Sequence, residues 1–207
     1  MAKVHWTDVR AYLDESERAL LDEVSRSRNI LTAPAPDGGW TIAQIVHHLV
    51  RTEKTMQIVW ASAPLFRRTP RLLAAVDRAN SALWRAMGMR TIEHSGGRIT
   101  TANPAAGRFQ APVFLRPPGS SGKSYGQLID WRRTVRARSV RLIGALDEDL
   151  LNRMQFSHPL LGPHTLMEFA EFLGIHERHH LPQILRIRAS LHVDDVILAS
   201  GGGRDDV

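Results

Sequence analysis

The chain has 207 residues, a formal net charge of +6 and no cysteine. The length suits a single domain with a sizeable core. The lack of cysteine excludes disulfides, thiolate nucleophiles and Cys-ligated zinc, so His and carboxylates are the remaining metal ligands. Nearly all the positive charge is Arg, spread over every segment and interleaved with acids, which argues against the basic stripe of a nucleic-acid-binding surface.

Three helix starts carry a capping-box pattern, in which an N-cap Ser or Thr is followed three residues later by Gln or Glu. The pairs are Thr41 with Gln44, Ser124 with Gln127, and Thr165 with Glu168. Thr69 before Pro70 fits the N-cap and first position of another helix. With apolar residues at helical spacing, these signals predict helices over residues 8–28, 41–62, 70–88, 124–146 and 165–190.

Strand signals are few in this chain. The stretch 110–115 is short and interrupted by Pro112, and residues 95–123 are rich in Gly, Pro and Ser. We therefore expect an all-α bundle as one domain over residues 1–200. An additional helix and a long irregular insertion would lie within about 70–123, and residues 201–207 would form a flexible tail.

The second predicted helix places one histidine beside its apolar face. Projected at 100° per residue, His48 falls at the edge of the apolar arc, whereas His47 falls on the opposite side. Glu53 lies near the centre of that arc, where an unpaired carboxylate is costly. Two partners for Glu53 are equally plausible: a metal-bound imidazole, or an arginine at the edge of the core such as Arg132. Trp40 and Ile45 have the spacing of a hydrophobic staple.

The last predicted helix carries two histidines four residues apart on or beside its apolar face. Because His176 and His180 lie one turn apart, both can bind a single ion. With His48 opposite, three neutral imidazoles would leave an open coordination position, as in catalytic zinc sites. We expect the other histidines of the chain on the surface or in loops: His5, His94, His158, His164 and His192.

Two further polar residues share the face of the last helix with this pair. Glu177 could accept a proton from a metal-bound water or thiol, and Gln183 could orient a ligand imidazole or a substrate. His179 is rotated away, and Pro182 would bend the helix just past His180.

Residues 176–180 also match H-E-x-x-H, the zinc-protease helix motif. The context of such a protease is missing. Gln183 and Arg186 occupy the positions of the glycine and the third histidine in the extended motif, and no downstream glutamate helix or convincing substrate-binding strand accompanies it. A metalloprotease is therefore the weaker interpretation of these residues.

Two blocks of sequence resemble the DinB/YfiT-like proteins. Trp40 to Leu49 with Glu53 is similar to their second helix, and His158 to Ile184 is similar to their final helix and its lead-in. The resemblance implies a four-helix bundle that holds a divalent metal, zinc or nickel, through His48, His176 and His180. Relatives with known activity include bacillithiol- or mycothiol-dependent transferases, a maleylpyruvate isomerase and amidohydrolase-type enzymes, and dimers are common among them.

The leading hypothesis is thus a metal-dependent hydrolase or thiol-dependent S-transferase that acts on a small molecule, with a low-molecular-weight thiol as a candidate partner. The alternative is a non-catalytic, stress-associated bundle tied together by its metal, and a nucleic-acid-binding module is weaker still. The first residues lack the apolar core of a signal peptide, and no apolar run approaches membrane-spanning length. We therefore expect a cytoplasmic protein without a membrane partner, and the resemblance also implies a homodimer.

Overall fold

The computed structural model of the chain describes residues 4–86, 115–158 and 162–201. The helices are α1 (Trp6–Arg26), α2 (Ile42–Arg68), α3 (Pro70–Ala86), α4 (Tyr125–Gly144), α5 (Glu148–Arg153) and α6 (Leu166–Gly201), and the strands are β1 (Gln155–His158) and β2 (Gly162–Thr165). The predicted all-α bundle is confirmed, including the additional helix that begins at Pro70.

Four helices form the bundle. Helix α1 packs against α6 and α4, and α2 packs against the same two helices from the opposite side. Helix α3 leaves this group and packs against β1 and α2. All three predicted capping boxes are present, at Thr41, Ser124 and Thr165.

Two helices run further than the sequence predicts. Helix α2 continues past Pro64 to Arg68, which brings Phe66 into the core against Phe156, with ring centroids 5.5 Å apart. Helix α6 continues past Pro182 to Gly201. A proline inside a helix removes its own N–H donor and clashes with the carbonyl four residues earlier. The burial of Phe66 beyond Pro64 and of Ile184 beyond Pro182 offsets this cost.

Three elements have no counterpart in the predicted set. Helix α5 is short, and β1 and β2 form an antiparallel hairpin with Gln155 opposite Thr165 and His158 opposite Gly162. The expectation that His158 and His164 lie on the surface or in loops is wrong: both belong to the strands of this hairpin, and His164 is only 7% exposed. The strand signal at 110–114, His94 and the predicted tail at 202–207 lie outside the described residues.

The core consists of two apolar clusters, one toward each end of the bundle. One contains Leu13, Trp60 and Ile143, and the other contains Leu20, Ile45 and Ile184. Between these clusters each helix contributes buried polar side chains: Ser16 from α1, His48 and Glu53 from α2, Arg132 and Arg136 from α4, and Glu177 and His180 from α6. The candidate functional residues therefore form a polar layer at mid-height of the bundle.

Candidate metal centre

The three histidines singled out from the sequence meet within this polar layer. The Nε2 atom of His176 lies 3.2 Å from Nε2 of His48 and 3.1 Å from Nε2 of His180. One ring nitrogen from each residue lies within 4.8 Å of the others, and no further His or carboxylate joins this group within the part of the chain that the structure describes. The convergence predicted between α2 and α6 is therefore present.

Outer hydrogen bonds fix the orientation of two of these rings. His48 Nδ1–H donates to the backbone oxygen of Leu115 over 2.9 Å, and His180 Nδ1–H donates to Gln183 Oε1 over 3.0 Å. In a neutral imidazole with a proton on Nδ1, Nε2 carries the lone pair. Both inward nitrogens are consequently acceptors.

These three nitrogens are better satisfied by a divalent metal than by hydrogen bonds to one another. If His48 and His180 both present lone pairs, His176 can donate its single Nε2 proton to only one of them. A metal ion would engage all three lone pairs. Tetrahedral coordination with bonds of about 2.0–2.1 Å places ligand nitrogens roughly 3.3 Å apart. The two separations that involve His176, 3.1 and 3.2 Å, are close to this value, and the nitrogens of His48 and His180 lie within 4.8 Å of each other.

Aromatic side chains hold the three rings from outside. Phe172 stacks on His176 with ring centroids 5.3 Å apart and an interplanar angle of 13°. Trp40 lies against His48 at 4.8 Å and near His180 at 6.3 Å. The tryptophan expected as a helix staple thus also contacts two of the three candidate ligands.

The environment keeps these imidazoles neutral. Burial and the neighbouring rings of His180 and His48 hold the pKa of His176 well below its ordinary value. Burial, with His48 nearby, lowers the pKa of His180 to about 3, and burial also lowers the pKa of His48. Neutral imidazole is the form that binds a metal, so little protonation would compete with binding near neutrality.

Glu177 points into a buried ion cluster rather than toward the imidazoles. Its carboxylate contacts Arg132, lies 3.0 Å from Arg136 Nη2 and accepts a hydrogen bond of 2.6 Å from Ser16 Oγ. The central glutamate of the H-E-x-x-H pattern is thereby held by α1 and α4, which differs from the position that a zinc protease requires. Its role as a proton acceptor stays a prediction.

Glu53 takes the second of the two partners considered from the sequence. Its Oε2 lies 2.7 Å from Arg132 Nη1, and its Oε1 lies 3.1 Å from Arg136 Nε. Burial alone would raise the pKa of Glu53, but the two guanidinium groups outweigh burial and hold that pKa below its usual value. The arginine cluster, rather than an imidazole, satisfies this carboxylate.

Gln183 and His47 lie on the sides of their helices that the helical projection predicts. Gln183 lies where an imidazole-orienting amide should be, against His180. His47 faces away from the cluster, with its ring edge-on to Trp131 at 4.8 Å. Sequence reasoning missed Arg136 and the carbonyl of Leu115. Arg136 has a signal in hindsight, because it follows Arg132 by one helical turn and so shares its buried face.

A bundle of four helices in which three neutral imidazoles converge has the arrangement of a candidate metal-binding helical bundle. The family model of the DinB superfamily matches residues 2–184 of this chain. The chain therefore belongs to the DinB superfamily. No curated protein and no solved structure gives a significant match.

Among the described residues, no helix combines the length and the apolar character needed to cross a lipid bilayer.

Proposed function

We propose that this protein is a divalent-metal-dependent enzyme, a hydrolase or a thiol-dependent S-transferase, in which His48, His176 and His180 hold zinc or nickel. The observation that carries the proposal is the convergence of three Nε2 atoms, two of which are held as acceptors by outer hydrogen bonds. Such outer partners are typical of functional metal sites.

The three ligands are neutral, so the bound ion would keep its full charge, favour an anionic fourth ligand and lower the pKa of a coordinated water or thiol. The protein contributes orientation: Leu115 and Gln183 fix the imidazoles, and Phe172 and Trp40 restrict their movement. The candidate substrate is a small molecule, and the thiol variant of the reaction would use a low-molecular-weight thiol as its partner.

Metal titration of chelator-treated protein tests the site. The wild-type chain is expected to bind one zinc or nickel ion, and the variants His48→Ala and His180→Ala are expected to lose it. His47→Ala is the matched control, because it removes the adjacent imidazole that faces away. Unchanged metal content in both the His48 and His180 variants would overturn the proposal.

The alternative of a metal that only stabilises the bundle differs in its fourth ligand. A structural site is closed by a fourth protein group, whereas a catalytic site exchanges a small ligand. Within the described residues three histidines form the cluster, which favours the enzyme. In the Co²⁺-loaded protein, a visible spectrum that shifts on addition of azide or a small thiol supports an exchangeable position. An unaltered spectrum at saturating ligand supports the structural alternative.

Two assays separate the candidate reactions once a metal is bound. Hydrolysis of activated esters or amides indicates a hydrolase, and consumption of bacillithiol or mycothiol with an electrophile indicates a transferase. Glu177→Gln then tests the predicted proton acceptor. A proton-accepting role predicts a large loss of kcat and an altered pH–rate profile. A purely structural role predicts lower stability with the profile of the remaining folded enzyme unchanged.

We also propose a homodimer, since the apolar side chains of Ile58 and Leu65 are 67% and 55% exposed on α2. Sedimentation velocity tests this assembly. A species of twice the chain mass is expected, which charged substitutions at these two positions would dissociate. A monomer at all concentrations would contradict it.

A further inference from the structure

A short segment of backbone connects the candidate metal centre to one face of α2. We call residues 115–119 the strap. Gln44, His48 and Arg51 occupy positions i, i+4 and i+7 of α2 and therefore share a face of the helix. All three side chains donate hydrogen bonds to carbonyls of the strap. Gln44 Nε2 donates to Pro118 over 2.9 Å and to Gly119 over 3.0 Å. His48 Nδ1 donates to Leu115 over 2.9 Å, and Arg51 Nη1 donates to Arg116 over 2.7 Å.

Hydrogen bonds, rather than burial, hold most of this strap in place. Arg116, Pro118 and Gly119 are exposed, and Leu115 is only partly buried. An exposed loop that buries little apolar surface has a large conformational entropy to lose when it is ordered. The hydrogen bonds to Arg116, Pro118 and Gly119, which follow Leu115 in the strap, therefore help to keep the Leu115 carbonyl at His48.

Gln44 is preset for this contact by the start of the helix. Its Oε1 accepts from the backbone N–H of Thr41 over 2.9 Å as one half of the capping box. This bond fixes which end of the amide is an acceptor, so Nε2 must point the other way, toward the strap. Gln44 thus caps the N-terminus of α2 and also binds the strap one turn before His48.

We propose that Gln44 and Arg51 are positioning residues of the metal centre, acting through the strap carbonyl of Leu115. By holding the strap they keep that carbonyl in contact with His48 Nδ1–H and so keep the Nε2 lone pair of His48 directed at His176 and His180. The proposal deepens the proposed function and rests on it for the metal, but the tautomer of His48 is a property of the protein alone.

Three substitutions on α2 separate a positioning role from a general effect on charge or on helix stability. Gln44→Glu keeps an oxygen for the capping box but has no donor for the carbonyls of Pro118 and Gly119. Arg51→Ala removes a positive charge that repels a metal cation, so the change in charge alone would tighten metal binding. Release of the strap would weaken it instead. Lys54→Ala, which removes an exposed charge from the next turn of α2, is the matched control.

Two measurements test the proposal. Long-range ¹H–¹⁵N correlation spectra of metal-free protein report which nitrogen of His48 carries the proton. We expect Nδ1 in the wild type and Lys54→Ala proteins, and a mixture of tautomers in the Gln44→Glu/Arg51→Ala double variant. Chelator-competition titration with Zn²⁺ is expected to show about tenfold weaker binding in the double variant, near the lower limit for loss of a ligand's outer partner.

The outcomes distinguish the two proposals. An unchanged His48 tautomer together with Zn²⁺ affinity within twofold of wild type in the double variant overturns the positioning role and leaves the metal site intact. Equal weakening by Lys54→Ala also overturns it. If the wild-type chain binds no Zn²⁺ while the tautomer still shifts in the double variant, the proposed function fails and the strap remains the positioning element of His48.

Discussion

Arg132 Nη1 lies 2.7 Å from Glu53 Oε2, joining α4 to α2 through a pair of side chains that are almost completely buried. The same guanidinium contacts Glu177 on α6, and its Nη1 lies 3.6 Å from Oε1 of Glu17 on α1, so one arginine connects all four bundle helices. Burial alone would lower the pKa of Arg132, but Glu53 and Glu177 hold that pKa above its usual value. The polar layer that contains the candidate metal centre thus also contains ion pairs that join the helices.

Replacing Arg132 by methionine is expected to destabilise the fold strongly. The substitution keeps an apolar chain of similar reach but leaves Glu53 and Glu177 with one guanidinium, that of Arg136. Removing one partner of a buried ion pair lowers the free energy of unfolding by about 3–5 kcal/mol, because the other charge is left unpaired in a medium of low dielectric. Urea denaturation of the wild-type and variant proteins measures the loss.

The neighbouring Arg133 supplies the control, because it is exposed on the same helix. Arg133→Ala should leave the free energy of unfolding close to that of the wild-type protein. Equal stability of the two variants would contradict the assigned role of the buried cluster.

Substitutions of Gln183 test whether its contact with His180 tunes metal affinity. Gln183→Leu removes the acceptor of the 3.0 Å bond from Nδ1 and is expected to weaken Zn²⁺ binding about 10–100-fold. Gln183→Glu keeps an acceptor and adds a negative charge, which makes the imidazole more basic, so it should bind as tightly as wild type or more tightly. Competition with a chromophoric chelator at constant pH measures both. Equal affinities in the two variants would argue against this contact.

The sequence predicts the convergence of the three histidines because its determinants are local to two long helices. The four-residue spacing of His176 and His180 and the edge position of His48 depend only on helical periodicity. The apolar positions of α2 and α6 indicate the buried face of each helix, and hence which of the adjacent histidines faces inward.

The features that escaped prediction depend on contacts between distant residues. The hairpin strands β1 and β2 have four residues each, too few for a period of two to stand out. The carbonyl of Leu115 is a backbone group and leaves no trace in the sequence. Glu177 shares the helical face of His176, so periodicity alone could not show that Arg132 and Ser16 turn its carboxylate aside.

Acidification should destabilise the metal-free protein partly through His158. Burial, with His164 nearby, lowers the pKa of His158 to about 4, against about 6.5 for an unfolded histidine. Between these values the unfolded chain binds more protons than the folded one. The free energy of unfolding therefore rises with pH through this window, and the stabilisation present above pH 6.5 is lost as the pH falls toward 4.

The variant His158→Phe isolates this contribution, because phenylalanine keeps a ring and cannot bind a proton. Its free energy of unfolding should change less steeply between about pH 4 and 6.5, by up to about 1.4 kcal/mol per pH unit relative to wild type. Denaturation at several pH values, in the presence of a chelator, measures the slope. Identical slopes would show that His158 titrates normally in the folded chain.

Gly174 permits the close approach of α1 to α6 one turn before the predicted proton acceptor. A Cβ atom at this position would lie 2.5 Å from Cε1 and 2.8 Å from Cδ1 of Tyr12, and 3.2 Å from Ser16 Oγ. The ring would have to move, which would disturb its contact with Arg178, now 4.8 Å from the ring centroid. Alanine favours a helix over glycine by about 1 kcal/mol, whereas overpacking costs roughly 1–3 kcal/mol.

Because overpacking outweighs helix propensity, Gly174→Ala is expected to lower the free energy of unfolding in the wild-type background. Removing the obstructing ring should reverse the sign. In a Tyr12→Ala background, the same Gly174→Ala substitution retains its helix-favouring effect and loses most of the steric cost, so it should stabilise the protein. Urea denaturation of the four proteins gives the coupling energy directly. An equal effect of Gly174→Ala in both backgrounds would show that Tyr12 yields freely and that the glycine is not required for the packing of α1 on α6.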